Sequence, residues 1–150
     1  MRLTLPLLLS VFAFASAACF PEPDVGAPLR EACVNEDSDP GTDVSFSVDI
    51  LSMFETMPDG CLACHAPNAP TPLGFEISGL DLTSFATLRS GGQNSSTDIV
   101  VDNEPCNSFL LLKVTDGVPF GARMPLDGPP LSPRQVQLIH DWIAEGALDN

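Results

Sequence analysis

The residues best equipped for chemistry stand together at Cys61-Leu62-Ala63-Cys64-His65. Two thiols three positions apart on a helical turn, followed at once by an imidazole, make the C-x-x-C-H pattern of c-type haem attachment. The spacing has a chemical reason. Cys61 and Cys64 can reach the two vinyl groups along one edge of the ring and form thioethers, while His65 offers a nitrogen to the iron. One staple then fixes the edge of the cofactor and its first axial ligand. Two other uses of such a pair compete. Half a zinc site needs two further ligands at short spacing, and here only the distant Cys106 and His140 could be recruited. A thioredoxin-type redox pair expects a βαβ context, and the strand-like segments are few and short.

A haem that carries electrons usually has a ligand on each face of its iron, Met or His. The candidates are Met53, Met57, Met124 and His140. Met53 and Met57 lie on a helix whose apolar face needs filling, so they read as core. His140 borders the apolar face of the last helix and reads as a half-exposed helical residue. Met124 sits in a loop rather than on a periodic face, with Pro125 stiffening it and a helix beyond to position it. It is the expected second ligand, and its soft thioether favours ferrous iron. The neighbouring Arg123 is a candidate to face a haem propionate.

The elements that must position these groups read as helices and turns. Ile50, Leu51, Met53, Phe54 and Met57 give helical spacing over Val44–Met57, ended by Pro58-Asp59-Gly60. A Pro-rich loop over 66–74 follows the motif, and one of its carbonyls is expected to hold the Nδ1–H of His65. Gly79–Leu82 and Ile99–Val101 read as short extended pieces, with a polar loop over 93–97. A short helix is expected over Ser84–Arg89, stopped by Gly91-Gly92. Another is capped by Asn107 or Ser108 and runs to Lys113. After a Gly/Pro-rich loop over 117–131, Ser132, Pro133 and Gln135 specify a capping box. It opens a helix with Val136, Ile139, Trp142 and Ile143 on its apolar face, and Arg134, Gln137, Asp141 and Glu145 on its polar one. Phe54, Phe85, Leu110, Val136, Ile139 and Trp142 are the expected apolar wall around the ring. The motif occurs once, which implies one haem.

With 150 residues, this is one domain with extensions. Arg2, the apolar run Leu3–Ala15 and Ala15-Ser16-Ala17 read as an export signal over residues 1–18. Its removal takes away one of six basic residues and none of twenty acids, so the formal net charge of −14 becomes about −15. Such a surface repels nucleic acid and anionic headgroups and favours basic partners. Residues 19–44, rich in Pro and acids, read as an arm or tether ahead of a domain over 45–150. Of five cysteines, two go to the motif, leaving Cys19, Cys33 and Cys106. In one resolution Cys19 is lipidated and Cys33 pairs with Cys106. In the other, Cys19 is bonded to Cys33 or Cys106.

The motif, Gly79-Leu80-Asp81-Leu82-Thr83-Ser84-Phe85, Arg123-Met124-Pro125, Leu131-Ser132 and Trp142-Ile143-Ala144-Glu145-Gly146-Ala147 together resemble the monohaem cytochrome c domains called planctomycete-type. These are similar to class I cytochromes c. The resemblance covers roughly 45–150. It implies a mainly α fold, a small helical domain around one covalent haem c, with His65 and Met124 as axial ligands and the first helix packed on the last. Family members are often exported and sometimes lipid-anchored, and the acidic N-terminal arm is a departure.

The expectation is an exported monohaem cytochrome in the bacterial periplasm or outer envelope. It passes single electrons between redox protein partners and touches a membrane only through an N-terminal lipid. With both axial positions filled it is a carrier and not an enzyme. A haem enzyme or gas sensor with a labile sixth ligand, and a tethered haem module of a larger dehydrogenase, are the alternatives.

Overall fold

The computed structural model describes residues 33–56 and 60–150. The signal segment, Cys19, the arm up to residue 32, Met57 and the Pro58-Asp59 stop lie outside the described residues. Among the described residues there are helices and turns and no β-strand.

The first helix starts two residues later than the expected Val44, because Ser45 is the cap. Its hydroxyl accepts the N–H of Val48, as a serine at that position should. A π-helical segment, Phe46–Ile50, runs straight into α1, Leu51–Thr56. Asn150 closes over this entry. Its side-chain oxygen accepts the Phe46 N–H at 2.8 Å and its carbonyl accepts the Ser47 N–H at 3.0 Å. Phe46 lies 5.5 Å, centroid to centroid, from Trp142 of the last helix and 5.3 Å from Phe85, the latter edge-on. The packing of the first helix on the last is therefore an aromatic contact. Trp142, Phe54, Ile50, Leu88, Ile139 and Ile143 are almost wholly buried with it, each contributing roughly 1.5–3 kcal/mol. The indole N–H of Trp142 donates to the Leu148 carbonyl at 3.0 Å, so no donor is stranded in that core.

Helix α2, Leu62–His65, is the single turn of the C-x-x-C-H motif. Helix α3, Leu73–Ser78, lies where the sequence reading had first a Pro-rich loop and then no assignment. The loop ends at Pro72, the N-cap position. Gly79 closes the helix in the left-handed region (φ 68°), its N–H on the Phe75 carbonyl at 2.7 Å. Proline before the start and glycine past the end are ordinary helix boundaries. Six residues are too few for apolar periodicity to declare itself. Helix α4, Phe85–Ser90, has the capping box Ser84–Thr87.

The polar loop and extended run expected over 93–101 are instead a turn and a 3-10 helix, Ser96–Ile99. Ile99 and Val100 bury themselves without pairing, each 2% exposed. A β-branched run reads as strand only when a partner strand exists. Pro105–Asn107 forms a second 3-10 helix before α5, Phe109–Val114. Ser108 occupies the N-cap position of α5 but does not cap it. Its buried hydroxyl accepts the Val101 N–H at 2.8 Å. Helix α6, Pro133–Ala144, has the expected Ser132–Gln135 capping box.

The described part of the arm lies on the domain. Cys33 is disulfide-bonded to Cys106, with Cα atoms 5.8 Å apart. The Ser38 N–H and hydroxyl donate to Asp141 at 3.1 and 2.7 Å, and the Val44 N–H donates to Glu145 at 2.7 Å. Asp141, assigned to the polar face of the last helix, is therefore 7% exposed, because the arm covers it. Helical periodicity cannot foresee a strap laid over a polar face.

Candidate functional site

His65 closes α2, its N–H on the Cys61 carbonyl at 2.8 Å. The next contacts come from beyond α3. The Leu80 carbonyl lies 3.2 Å from the imidazole Nδ1, and the Leu82 N–H donates to the His65 carbonyl at 3.0 Å. The oriented carbonyl thus belongs to Leu80 and not to the Pro-rich loop, because α3 turns the chain back over the motif. Burial is the main influence on His65 and lowers its pKa. The Leu80 hydrogen bond opposes this and the Lys113 charge adds to it. The ring is thereby kept neutral, the form a metal ligand needs. Cys61 and Cys64 are both unbonded thiols. Burial raises the Cys61 pKa, a backbone hydrogen bond lowers it, and the neighbouring Cys64 raises it, with burial prevailing.

These three residues line one cavity of about 650 Å³, within the roughly 300–1,000 Å³ span of sites that enclose small ligands. Met124 lines the same cavity. Its N–H donates to the Lys113 carbonyl at 2.7 Å, which ties the loop to the end of α5. The other sulfur and imidazole candidates are elsewhere. Met53 is buried in the core. His140 points into the arm, with Nε2 2.7 Å from the Val34 carbonyl and Nδ1 3.0 Å from Asp141. Met57 lies outside the described residues. The zinc alternative loses its distant partners the same way, Cys106 to the disulfide and His140 to the arm. Among the described residues no three His, Cys, Asp or Glu side chains converge as a metal site.

The wall differs from the expected one. Phe54, Leu110 and Ile139 line the cavity, but Phe85 and Trp142 belong to the aromatic core and Val136 packs against that core. Their places are taken by Leu73, Ile77, Leu80, Leu82 and Leu131. Leu73 and Ile77 come from α3, which is too short to show a period in the sequence. The basic residue lining the cavity is Lys113 and not Arg123.

The residues present fit a haem. The lining is mainly apolar, Cys61, Cys64 and His65 are part of it, and Gly74 allows α3 to approach the imidazole. A Cβ at Gly74 would lie 2.8 Å from Nε2 of His65 and 2.9 Å from two ring carbons, closer than such atoms can pack. Only a residue without a side chain lets α3 pack this close to the imidazole.

Residues 61–128 match the family model described as Planctomycete cytochrome C. No curated protein and no solved structure matches the chain.

Proposed function

We propose that this chain, through its planctomycete cytochrome c domain, is an exported single-electron carrier. In this reading one haem is held by Cys61 and Cys64 and ligated by His65 and Met124. The observation that carries it is that all four of those residues line one mainly apolar cavity. Haem iron, when bound, supplies the one-electron chemistry by cycling between its ferric and ferrous states.

The protein's part is to bind, orient and exclude water. Acceptance of the Nδ1–H by Leu80 fixes the tautomer of His65 and leaves the Nε2 lone pair for the iron. Phe54, Leu110, Leu131 and Ile139 present hydrocarbon to the ring, lowering the local dielectric. The thioether of Met124 is neutral and soft, and as a ligand it would raise the reduction potential. Were Met124 to hold the iron opposite His65, no position would remain for a substrate, and this favours a carrier over an enzyme. The acidic surface suits partners with a basic docking face. Export by the segment 1–18, with a lipid on Cys19, would place the carrier in the cell envelope.

Mass spectrometry of protein matured in a host with haem-attachment machinery tests the reading. One haem should survive denaturation in the wild type and be lost from the Cys61→Ala, Cys64→Ala double variant. The reduced protein should bind carbon monoxide slowly or not at all. A wild-type mass without haem, or prompt carbon monoxide binding, overturns the proposal.

A further inference from the structure

Between Val114 and Pro133 the chain has no helix or strand, yet it must hold one sulfur at a fixed place. Among the described residues, every hydrogen bond that ties residues 117–131 to the rest of the domain runs to one residue of α5, Lys113. Its backbone carbonyl accepts the Met124 N–H at 2.7 Å. Its ammonium donates to the Phe120 carbonyl at 2.9 Å and to the Ala122 carbonyl. The same ammonium lies 5.0 Å from the centroid of the Phe120 ring, which stands edge-on to Phe109 of α5 at 5.3 Å. Lys113 also lines the cavity.

We propose that Lys113 is the positioning residue of the Met124 loop, its ammonium clamping the backbone two and four residues ahead of the sulfur. The inference rests on the reading that Met124 ligates the iron. The physical reason is entropic. A Gly/Pro-rich loop retains many conformations, and each fraction of time the sulfur spends away from the iron leaves the sixth position open. Two charge-assisted hydrogen bonds to backbone carbonyls remove that freedom at a cost that one half-buried lysine bears. Because the clamp acts on carbonyls rather than side chains, the loop can carry small residues at Gly121 and Ala122, which are exposed.

The test uses the haem-loaded full chain with Lys113→Met, Lys113→Gln and Lys113→Arg. Its readouts are the long-wavelength sulfur-to-iron charge-transfer band of the oxidised protein and the rate of carbon monoxide association with the reduced protein. In K113M the band should weaken and association should rise about tenfold or more, the scale of losing a charge-assisted hydrogen bond. K113R, which keeps donors for both carbonyls, should restore both readouts. K113Q, with one donor group, should fall between, and it serves if K113M does not mature. A K113M or K113Q protein with wild-type band and association rate overturns the proposal, as does a K113R protein no better than K113M. If the wild type itself lacks the band, Met124 is not the ligand, and the underlying reading fails together with this one.

Discussion

Nδ1 of His65 lies 3.2 Å from the carbonyl oxygen of Leu80, fifteen residues further along the chain. The contact exists because α3 reverses the chain between them, and the Leu82 N–H locks the reversal by donating to the His65 carbonyl. The orientation of the imidazole is therefore set by backbone, which no side-chain substitution at position 80 removes. What a substitution can change is the space in front of the opposite nitrogen.

Gly74→Ala is the sharpest probe of that space. Its methyl group would meet Nε2 at 2.8 Å and must displace either the ring or α3. Overpacking of this kind costs about 1–3 kcal/mol. The expected result is a lower haem-to-protein ratio and a lower melting temperature, read by mass spectrometry and thermal unfolding. Wild-type loading and melting in G74A would show that His65 does not face Gly74 when haem is bound.

The motif and the last helix were legible in the sequence because their signals are local: two thiols and an imidazole at fixed spacing, a serine, a proline and a glutamine at a helix start. Met124 stands out by its loop position, and it does line the cavity. Two things were not legible. Helix α3 is too short to show a period, although Pro72 and Gly79 mark both its ends and were the available signal. The burial of Asp141 depends on Ser38, 103 residues away, and no local pattern encodes a contact at that separation. The same limit explains the wall. Helical spacing put Trp142 on the apolar face of α6, but that face serves both core and cavity, and only tertiary packing divides them.

Met124→Ala should abolish the sulfur-to-iron charge-transfer band, lower the reduction potential and open the reduced iron to carbon monoxide, since a soft neutral ligand is lost. His140→Ala should leave all three unchanged, because that imidazole is engaged with Val34 and Asp141. Spectra and redox titrations of the two variants decide between the residues. Loss of the band in H140A with its retention in M124A would reverse the assignment.

The Cys33–Cys106 bond closes a loop with a sequence separation of 73 residues. On the chain-entropy estimate, opening it costs about 4 kcal/mol. The double variant Cys33→Ser, Cys106→Ser should lose stability on that scale in denaturant melts. Its haem spectrum should change little, since neither cysteine lines the cavity. Peptide mapping without reductant should recover a Cys33–Cys106 peptide. A peptide joining Cys19 to either residue would instead show that Cys19 is not held for a lipid.

The strap over α6 should give stability an optimum in mild acid. For Asp141, burial works to raise the pKa, but hydrogen bonds from Ser38, His140 and Gln137 prevail and hold it below its ordinary 3.8. A depressed carboxylate contributes stability above its unfolded pKa and loses it as pH falls through the folded one. Asp141→Asn should therefore cost about 1–3 kcal/mol at neutral pH, having lost the charged acceptor of those bonds, and progressively less below 3.8. For Glu145, burial raises the pKa above 4.5. The Val44 N–H opposes this, and Asp37, Asp43 and Asp141 add to the rise. One of its oxygens, Oε1, is buried with no hydrogen-bond partner. Here the folded state binds the proton more readily, so stability falls as pH climbs from 4.5 through the folded pKa. Glu145→Gln keeps an acceptor for Val44 and places an amide where the unpartnered oxygen stood, facing acids. It should raise the melting temperature at neutral pH, with the gain fading as pH approaches 4.5. Because the Asp141 charge is part of what raises Glu145, the two substitutions should not add. Melting curves of the wild type, both single variants and the double variant across the acid range measure all of this. A Glu145→Gln protein less stable than wild type at neutral pH would mean that the ionised carboxylate is a favourable part of the strap.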